Sequence, residues 1–324
     1  MDLDNRYIQP EGHKRHHYVP VCYLKNFTSD GEIAWIYNKG VSKSYPKNIN
    51  DIFVLENFYT IDESLLPKEH TEEVNPLSLE LNYFARDIES QYTQFLNIFI
   101  PFIDKWINDE EYREIMPYLP DDYVEHIAFQ MIIQYLRTPE ARIESSEMVK
   151  QAKQILNIFA QCVFFYEKKK EEIEKDLKKE FGPVVDQMMV CFQPNMLKDW
   201  VELLKNKIWT IYISKEDFFV TSDSPVILDR KQSSQHGFWS LNEKGLKISY
   251  PITKNVCVIL WDRESYPKLS NLDRKIILVE PIQVLVENIY MYVWAKELVA
   301  PTKEGAEWFK HVKEKIGKEQ YCRH

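Results

Sequence analysis

Three of the eight histidines of this 324-residue chain, His13, His16 and His17, fall within five residues of "GHKRHHYVP" (Gly12–Pro20), with Lys14 and Arg15 between them and Cys22 just beyond. Imidazole is the side chain best suited to move protons near neutral pH, and neighbouring cations depress its pKa and attract anions. A histidine pair beside an arginine can therefore serve phosphodiester chemistry, with His16 and His17 as catalytic candidates and His13 as an additional one. The same residues also fit a transition-metal site in which Cys22 is a candidate ligand. They fit equally a basic N-terminus whose Tyr18 and Val19 dock into the core while the histidines meet water.

A second constellation lies in "DDYVEHIAFQMIIQYLRTPEAR" (Asp121–Arg142). At about 100° per residue, Tyr123, His126, Gln130, Gln134 and Arg137 share one narrow sector of a helix, and mainly apolar residues fill the rest. Most of this helix should then be buried. An unpaired buried donor costs ~1–3 kcal/mol, so the stripe must find partners, and Arg137 needs an anion. A structural carboxylate and a ligand phosphate both suit its planar fork. Arg142, just past Pro139, joins Gln134 and Arg137 as a candidate for substrate binding, with His126 and Gln130 as further members.

"TSDSPV" (Thr221–Val226) sets two hydroxyls around an aspartate at the end of a strand. Short polar side chains there can cap backbone groups, but loops at strand ends also carry catalytic residues. On the second reading Asp223 orients an imidazole or acts as a base, and Thr221, Ser222 or Ser224 contacts a bound anion. There is no Gly-rich phosphate loop, HExxH, GxSxG or EF-hand loop. The Arg230–His236 spacing of certain helical RNases falls in a loop-like run and is set aside.

"HHYVPVCYLKNF", "QYLRTPEAR" and "VTSDSPV", in this order, resemble the bacterial family of unknown function numbered 4238. The likeness extends from about Arg15 to Trp294. It implies that the three stretches belong together, through His16, His17, Tyr18, Pro20, Gln134, Arg137, Thr221, Ser222, Asp223 and Pro225, but it brings no settled activity. His13, His126 and Arg142 come from spacing alone.

The elements that must position these residues are legible in outline. With 44% hydrophobic and 14% aromatic residues the chain can bury a large core, as a single composite domain over 1–324. "YLKNFTSDGEIAWIYNK" (Tyr23–Lys39) and "DIFVLENFYTID" (Asp51–Asp62) look like two hairpins, with Pro46 separating them, in an N-terminal β part over 1–75. A helical part over 76–207 starts at Pro76 with an apolar face of Leu77, Leu81, Phe84, Ile88, Phe95 and Phe99, punctuated by Pro101 and Pro117–Pro120. The helix from Asp121 is capped by an aspartate and limited by Pro139. Tyr166–Glu180 is a mixed-charge, solvated helix, and Asn195–Lys207 is a shorter one. Strands return at Ile208–Ser214, Asp217–Leu228 and Asn255–Asp262 in a C-terminal β part over 208–300, followed by a helix or tail over 301–324. Two hairpins alone make a poor core, so they should join the C-terminal strands in one sheet. The expected class is α+β, a mixed or antiparallel sheet of N- and C-terminal strands with the helical region packed against it.

A formal charge of -9 excludes broad coating of nucleic acid. "FLNIFIPFI" is too short to span a bilayer, and the first twenty residues hold no signal peptide. Five scattered cysteines suit a reducing cytoplasm. The expected function is hydrolase or nuclease chemistry on a phosphate-bearing substrate such as RNA, DNA or a nucleotide. The alternative is a non-catalytic anion- or partner-binding protein in which the same groups form a structural network. Cofactor, metal dependence and oligomeric state stay open.

Overall fold

The computed structural model describes residues 15–61, 79–162, 182–229 and 241–316. His13, the Tyr166–Glu180 segment and the Arg230–His236 spacing lie outside them. The class is α+β, as expected.

The strands β1 (Arg15–His17), β2 (Ile33–Asn38), β3 (Lys43–Asn48) and β4 (Val54–Glu56) come first. After the helical middle follow β5 (Ile208–Ile213), β6 (Thr221–Ser222), β7 (Ile227–Asp229), β8 (Lys247–Thr253), β9 (Val256–Trp261), β10 (Lys275–Leu278) and β11 (Glu297–Ala300). They form three sheets, not one: the pair β1-β4, a mixed sheet β10-β5-β9-β8-β7, and an antiparallel sheet β3-β2-β11-β6. N- and C-terminal strands do combine, because β2 pairs with β11. The C-terminal strands divide because β11 bonds to β2 of the N-terminal hairpin and carries β6 on its other side, while β5, β8 and β9 bond to one another in the order β5-β9-β8.

Three local expectations are corrected. Tyr23–Phe27 is not a strand: Val21–Leu24 is a short helix, α1, and Lys25–Phe27 a 3₁₀ turn, because Tyr23, Leu24 and Phe27 are all buried, which strand alternation would not allow. Pro46 does not separate two hairpins but sits within β3, opposite Trp35. It is tolerated there because β3 is an edge strand whose outer side needs no N–H. The second hairpin supplies only β4, whose partner is the histidine strand β1.

The helices are α2 (Ser90–Asn108), α3 (Glu110–Ile115), α4 (Asp121–Leu136), α5 (Pro139–Cys162), α6 (Gly182–Cys191), α7 (Pro194–Lys205), α8 (Pro281–Trp294) and α9 (Lys303–Ile316). Pro101 does not end α2 but lies inside it, where burial of Phe99, Phe102 and Ile103 on both sides outweighs the lost backbone bond. No aspartate side chain caps α4: its N-cap is Pro120, and Asp121 and Asp122 occupy the first turn, where they favour the dipole. Pro139 does limit α4 and opens α5.

Ahead of α2, Leu79–Glu89 is wound as a π-helix. An α-helix at about 100° per residue would set positions nine apart on opposite faces. The wider i→i+5 winding brings Glu80, Phe84 and Glu89, at spacings of four and five, round to the same side. One continuous core joins Tyr23, Phe27, Phe84, Phe99, Ile132, Trp209, Ile211 and Val258. A smaller one, around Tyr37, Tyr292, Leu298 and Phe309, packs α8 and α9 onto the antiparallel sheet. Among the described residues no helix is long and apolar enough to cross a membrane.

Candidate functional site

Side chains alternate along β1, so the two histidines part company. His16 is fully buried. Its Nδ1 accepts the Tyr59 N–H at 2.8 Å, and its ring lies parallel to Tyr59 with centroids 5.8 Å apart. An Nδ1 that accepts leaves the proton of the neutral ring on Nε2. His17 is half-buried, and its Nε2 lies 3.1 Å from the Asn50 carbonyl. That contact assigns the proton to Nε2 and leaves the Nδ1 lone pair as the basic position. Burial holds the His17 pKa below its ordinary value; Glu89 and the Asn50 carbonyl oppose this, and Arg137 and Arg15 reinforce it.

Arg137 follows the last turn of α4 with no exposed surface. Its Nη2 donates to the His17 carbonyl at 2.6 Å and forms an ion pair with Glu89 Oε1 at 2.8 Å. The guanidinium lies 4.5 Å from the Phe84 ring centroid and 5.8 Å from that of Tyr59, whose hydroxyl donates to the Arg137 carbonyl at 3.0 Å. Burial acts to lower the Arg137 pKa, but Glu89, Tyr59 and Glu80 outweigh it and the net shift is upward. One turn earlier, Gln134 Nε2 donates to the Tyr18 carbonyl at 3.3 Å. The polar stripe of α4 thus grips two successive carbonyls of the N-terminal segment. Gln130 is buried on the same helix, but His126 is exposed, stacked on Phe95 and bonded to the Asp122 carbonyl, so it does not join the group.

The anion that Arg137 requires is therefore a carboxylate of the chain. A second one, Glu80, shares its surroundings: burial pushes the Glu80 carboxyl up to about 7, against the pull of Arg137 and with the repulsion of Glu89. Two carboxylates beside one guanidinium cannot both ionise cheaply in a buried setting. Glu80 Oε2 is buried without a hydrogen-bond partner, and so are Nε and Nη1 of Arg137.

Arg142 stacks 3.4 Å from the Phe58 ring centroid and 5.4 Å from that of Tyr59, and donates to Gln187 Oε1 at 3.0 and 3.1 Å and to the Phe58 carbonyl. No carboxylate pairs with it among the described residues. Burial lowers its pKa to about 10, with Tyr59 opposing. Tyr59 in turn is pushed up to about 12 by burial, against the fields of Arg137 and Arg142, with Glu80 adding to the rise. It is the hub of the group.

The third constellation stands apart. Thr221 Oγ1 donates to the Tyr23 hydroxyl at 2.7 Å, which donates to the Pro251 carbonyl at 2.7 Å. Ser222 Oγ donates to the Ser224 carbonyl at 2.9 Å and accepts the Ser224 N–H at 3.1 Å. Asp223 Oδ1 accepts the N–H groups of Lys296 and Glu297 at 3.0 and 3.2 Å, tying the loop to β11. Asp223 hydrogen-bonds to neither histidine. Burial raises its carboxyl to about 6, against those two backbone bonds, and Glu140 adds to the rise. What links it to the first group is Tyr18, whose hydroxyl is raised by burial and by the fields of Asp223, Glu297 and Glu140.

Among the described residues no group of three His, Cys, Asp or Glu could hold a metal ion. Cys22 is a half-buried thiol pushed up to about 11 by desolvation and by Glu89. A surface groove between Ile115–Asp121 and Asp273–Arg274 contains none of the candidate residues. Sequence reasoning missed Glu80, Glu89, Tyr59 and Gln187. Glu80 and Glu89 were hidden because α-helical periodicity separates them, and only their joint position beside a polar-striped helix could have drawn notice.

No curated protein and no solved structure matches the chain. From Arg15 to Gly305 it matches the model of DUF4238, described as a protein of unknown function, and the chain belongs to that family.

Proposed function

We propose that the protein is a hydrolase of phosphate-bearing substrates, RNA, DNA or a nucleotide, whose proton-transfer groups are Glu80 and His17. The observation that carries this reading is a half-buried carboxyl titrating at about 7 beside the same Arg137–Glu89 pair that borders a half-buried imidazole. Groups poised near neutrality are what general acid–base catalysis needs, and such shifts concentrate at active sites. His17 Nδ1 takes a proton from water as the water oxygen bonds to phosphorus. The bond from phosphorus to the leaving oxygen breaks, and that oxygen takes the Glu80 proton. Arg142, a cation with no carboxylate partner among the described residues, supplies attraction for the substrate anion. The free thiols Cys22 and Cys257 accord with a reducing, cytoplasmic setting.

The second reading is a non-catalytic clasp, favoured by the way Arg137 and Gln134 hold main-chain carbonyls. The deciding experiment measures cleavage of single-stranded RNA and DNA, nucleotides and an activated phosphodiester from pH 5 to 9, with metal added and chelated. Hydrolysis that declines as pH rises through about 7 and is lost in Glu80→Gln and His17→Asn supports the enzyme. Folded variants that cleave as the parent does, or no cleavage at all, favour the clasp.

A further inference from the structure

Arginine carries five N–H donors. In Arg137, Nη2 donates to the His17 carbonyl and pairs ionically with Glu89, while Nε and Nη1, which carry three of the five, make no hydrogen bond. Buried donors left in this state are rare, because each forfeits the hydration it had in the unfolded chain. Glu80, on the same side of the π-helix as Glu89, also keeps a buried oxygen without a partner, and it is partly exposed where Arg137 is not.

We infer that the Nε and Nη1 donors of Arg137 form an anion-binding position for which the Glu80 carboxylate is a built-in competitor, so that a proton on Glu80 opens the position and its loss closes it. The inference deepens the proposed function by giving its site a regulator, and rests on that reading only for the identity of the anion as a phosphate group. An ionised Glu80 is attracted to the free donors and repels an incoming phosphate. A protonated Glu80 neither competes nor repels, and its O–H can donate to the bound oxyanion.

The charged and titratable groups around Glu80 are Arg137 at the end of α4, Glu89 on its own helix and Tyr59 after β4. Behind them lie His17 of β1 and Cys22 of α1, which sense Glu89 and Arg137, and Arg142 of α5, which senses Tyr59. Burial pushes the Glu80 carboxyl up to about 7 and shifts His17 downward from its ordinary 6.5. Above pH 6.5 the proton of the switch is therefore assigned to Glu80 and not to His17.

Inorganic sulfate is the probe, because its charge is constant over this range. Calorimetric titration of the full chain should show affinity about ten-fold weaker at pH 8 than at pH 6, as one linked proton with a pKa near 7 requires. Glu80→Gln should bind equally at both pH values and at least as tightly as the parent at pH 6. The parent at pH 8, titrated in two buffers of different ionisation enthalpy, should take up close to one proton per sulfate, a readout that needs no variant to fold. No sulfate binding at either pH, equal pH dependence in Glu80→Gln, or zero proton uptake overturns the inference. Sulfate binding with proton uptake but no phosphoester cleavage keeps the inference and removes the hydrolase reading. Cleavage without proton-linked sulfate binding does the reverse.

Discussion

Arg137 holds the main-chain carbonyl of His17, at 2.6 Å, and leaves the imidazole to Asn50. The two side chains can therefore be removed with different consequences. Arg137→Ala abandons the half-buried Glu89 together with an orphaned carbonyl and removes a fully buried side chain, and should cost about 3 kcal/mol. His17→Ala keeps the carbonyl and should cost about 1 kcal/mol for one partly exposed bond. Urea unfolding of both variants checks this. Equal losses would mean that the imidazole is structural and that activity lost in a His17 variant carries no chemical meaning.

Glu80 makes stability depend on pH with a definite sign. Its folded-state pKa of about 7 lies above the ordinary 4.5, so the folded form binds the extra proton between these limits. Its contribution is fully present below about pH 4.5 and is lost as pH rises to about 7. From pH 6 to 8 the parent should lose about 1 kcal/mol that Glu80→Gln keeps. Denaturation curves at the two pH values decide the matter, and parallel losses in both proteins would acquit Glu80.

His16 is predicted to be structural. Its replacement by alanine removes a fully buried ring stacked on Tyr59 and orphans the Tyr59 N–H. A loss of about 2–4 kcal/mol is expected. A melting temperature within a degree or two of the parent would contradict this and reopen a chemical role.

Asp223 ties its loop to β11 through two backbone N–H bonds to one oxygen. Asp223→Asn keeps an acceptor and should cost under about 1 kcal/mol near pH 7, whereas Asp223→Ala should cost about 1–3 kcal/mol. Thermal unfolding of the pair separates a bonding role from a chemical one. A folded Asp223→Asn protein that has lost all function would show that the ionised carboxylate acts in its own right.

Much of the site's membership was legible because its residues break local rules. Gln134 and Arg137 stood out as polar groups on a helix otherwise apolar, and both indeed bind the segment that carries His17 and Tyr18. Asp223 stood out at a strand end, and capping, the simpler use of such a residue, is what its bonds perform. Glu80 and Glu89 broke no rule: acids on a helix preceding an apolar run read as ordinary surface, and the winding that turns both to Arg137 leaves no periodic trace.

By itself the sequence determined the elements and their burial: an oily α4 halted at Pro139, strands at both ends of the chain, and a buried arginine that had to meet an anion. Those follow from periodicity, proline geometry and the cost of an unpaired charge, all of which act over a few residues. Only the tertiary structure decided which anion it was and how the strands were shared among three sheets. It also decided that His16 faces inward while His17 borders the Arg137–Glu89 pair. Such choices turn on contacts between segments far apart in the chain, where the competing partners are chemically alike and packing selects among them.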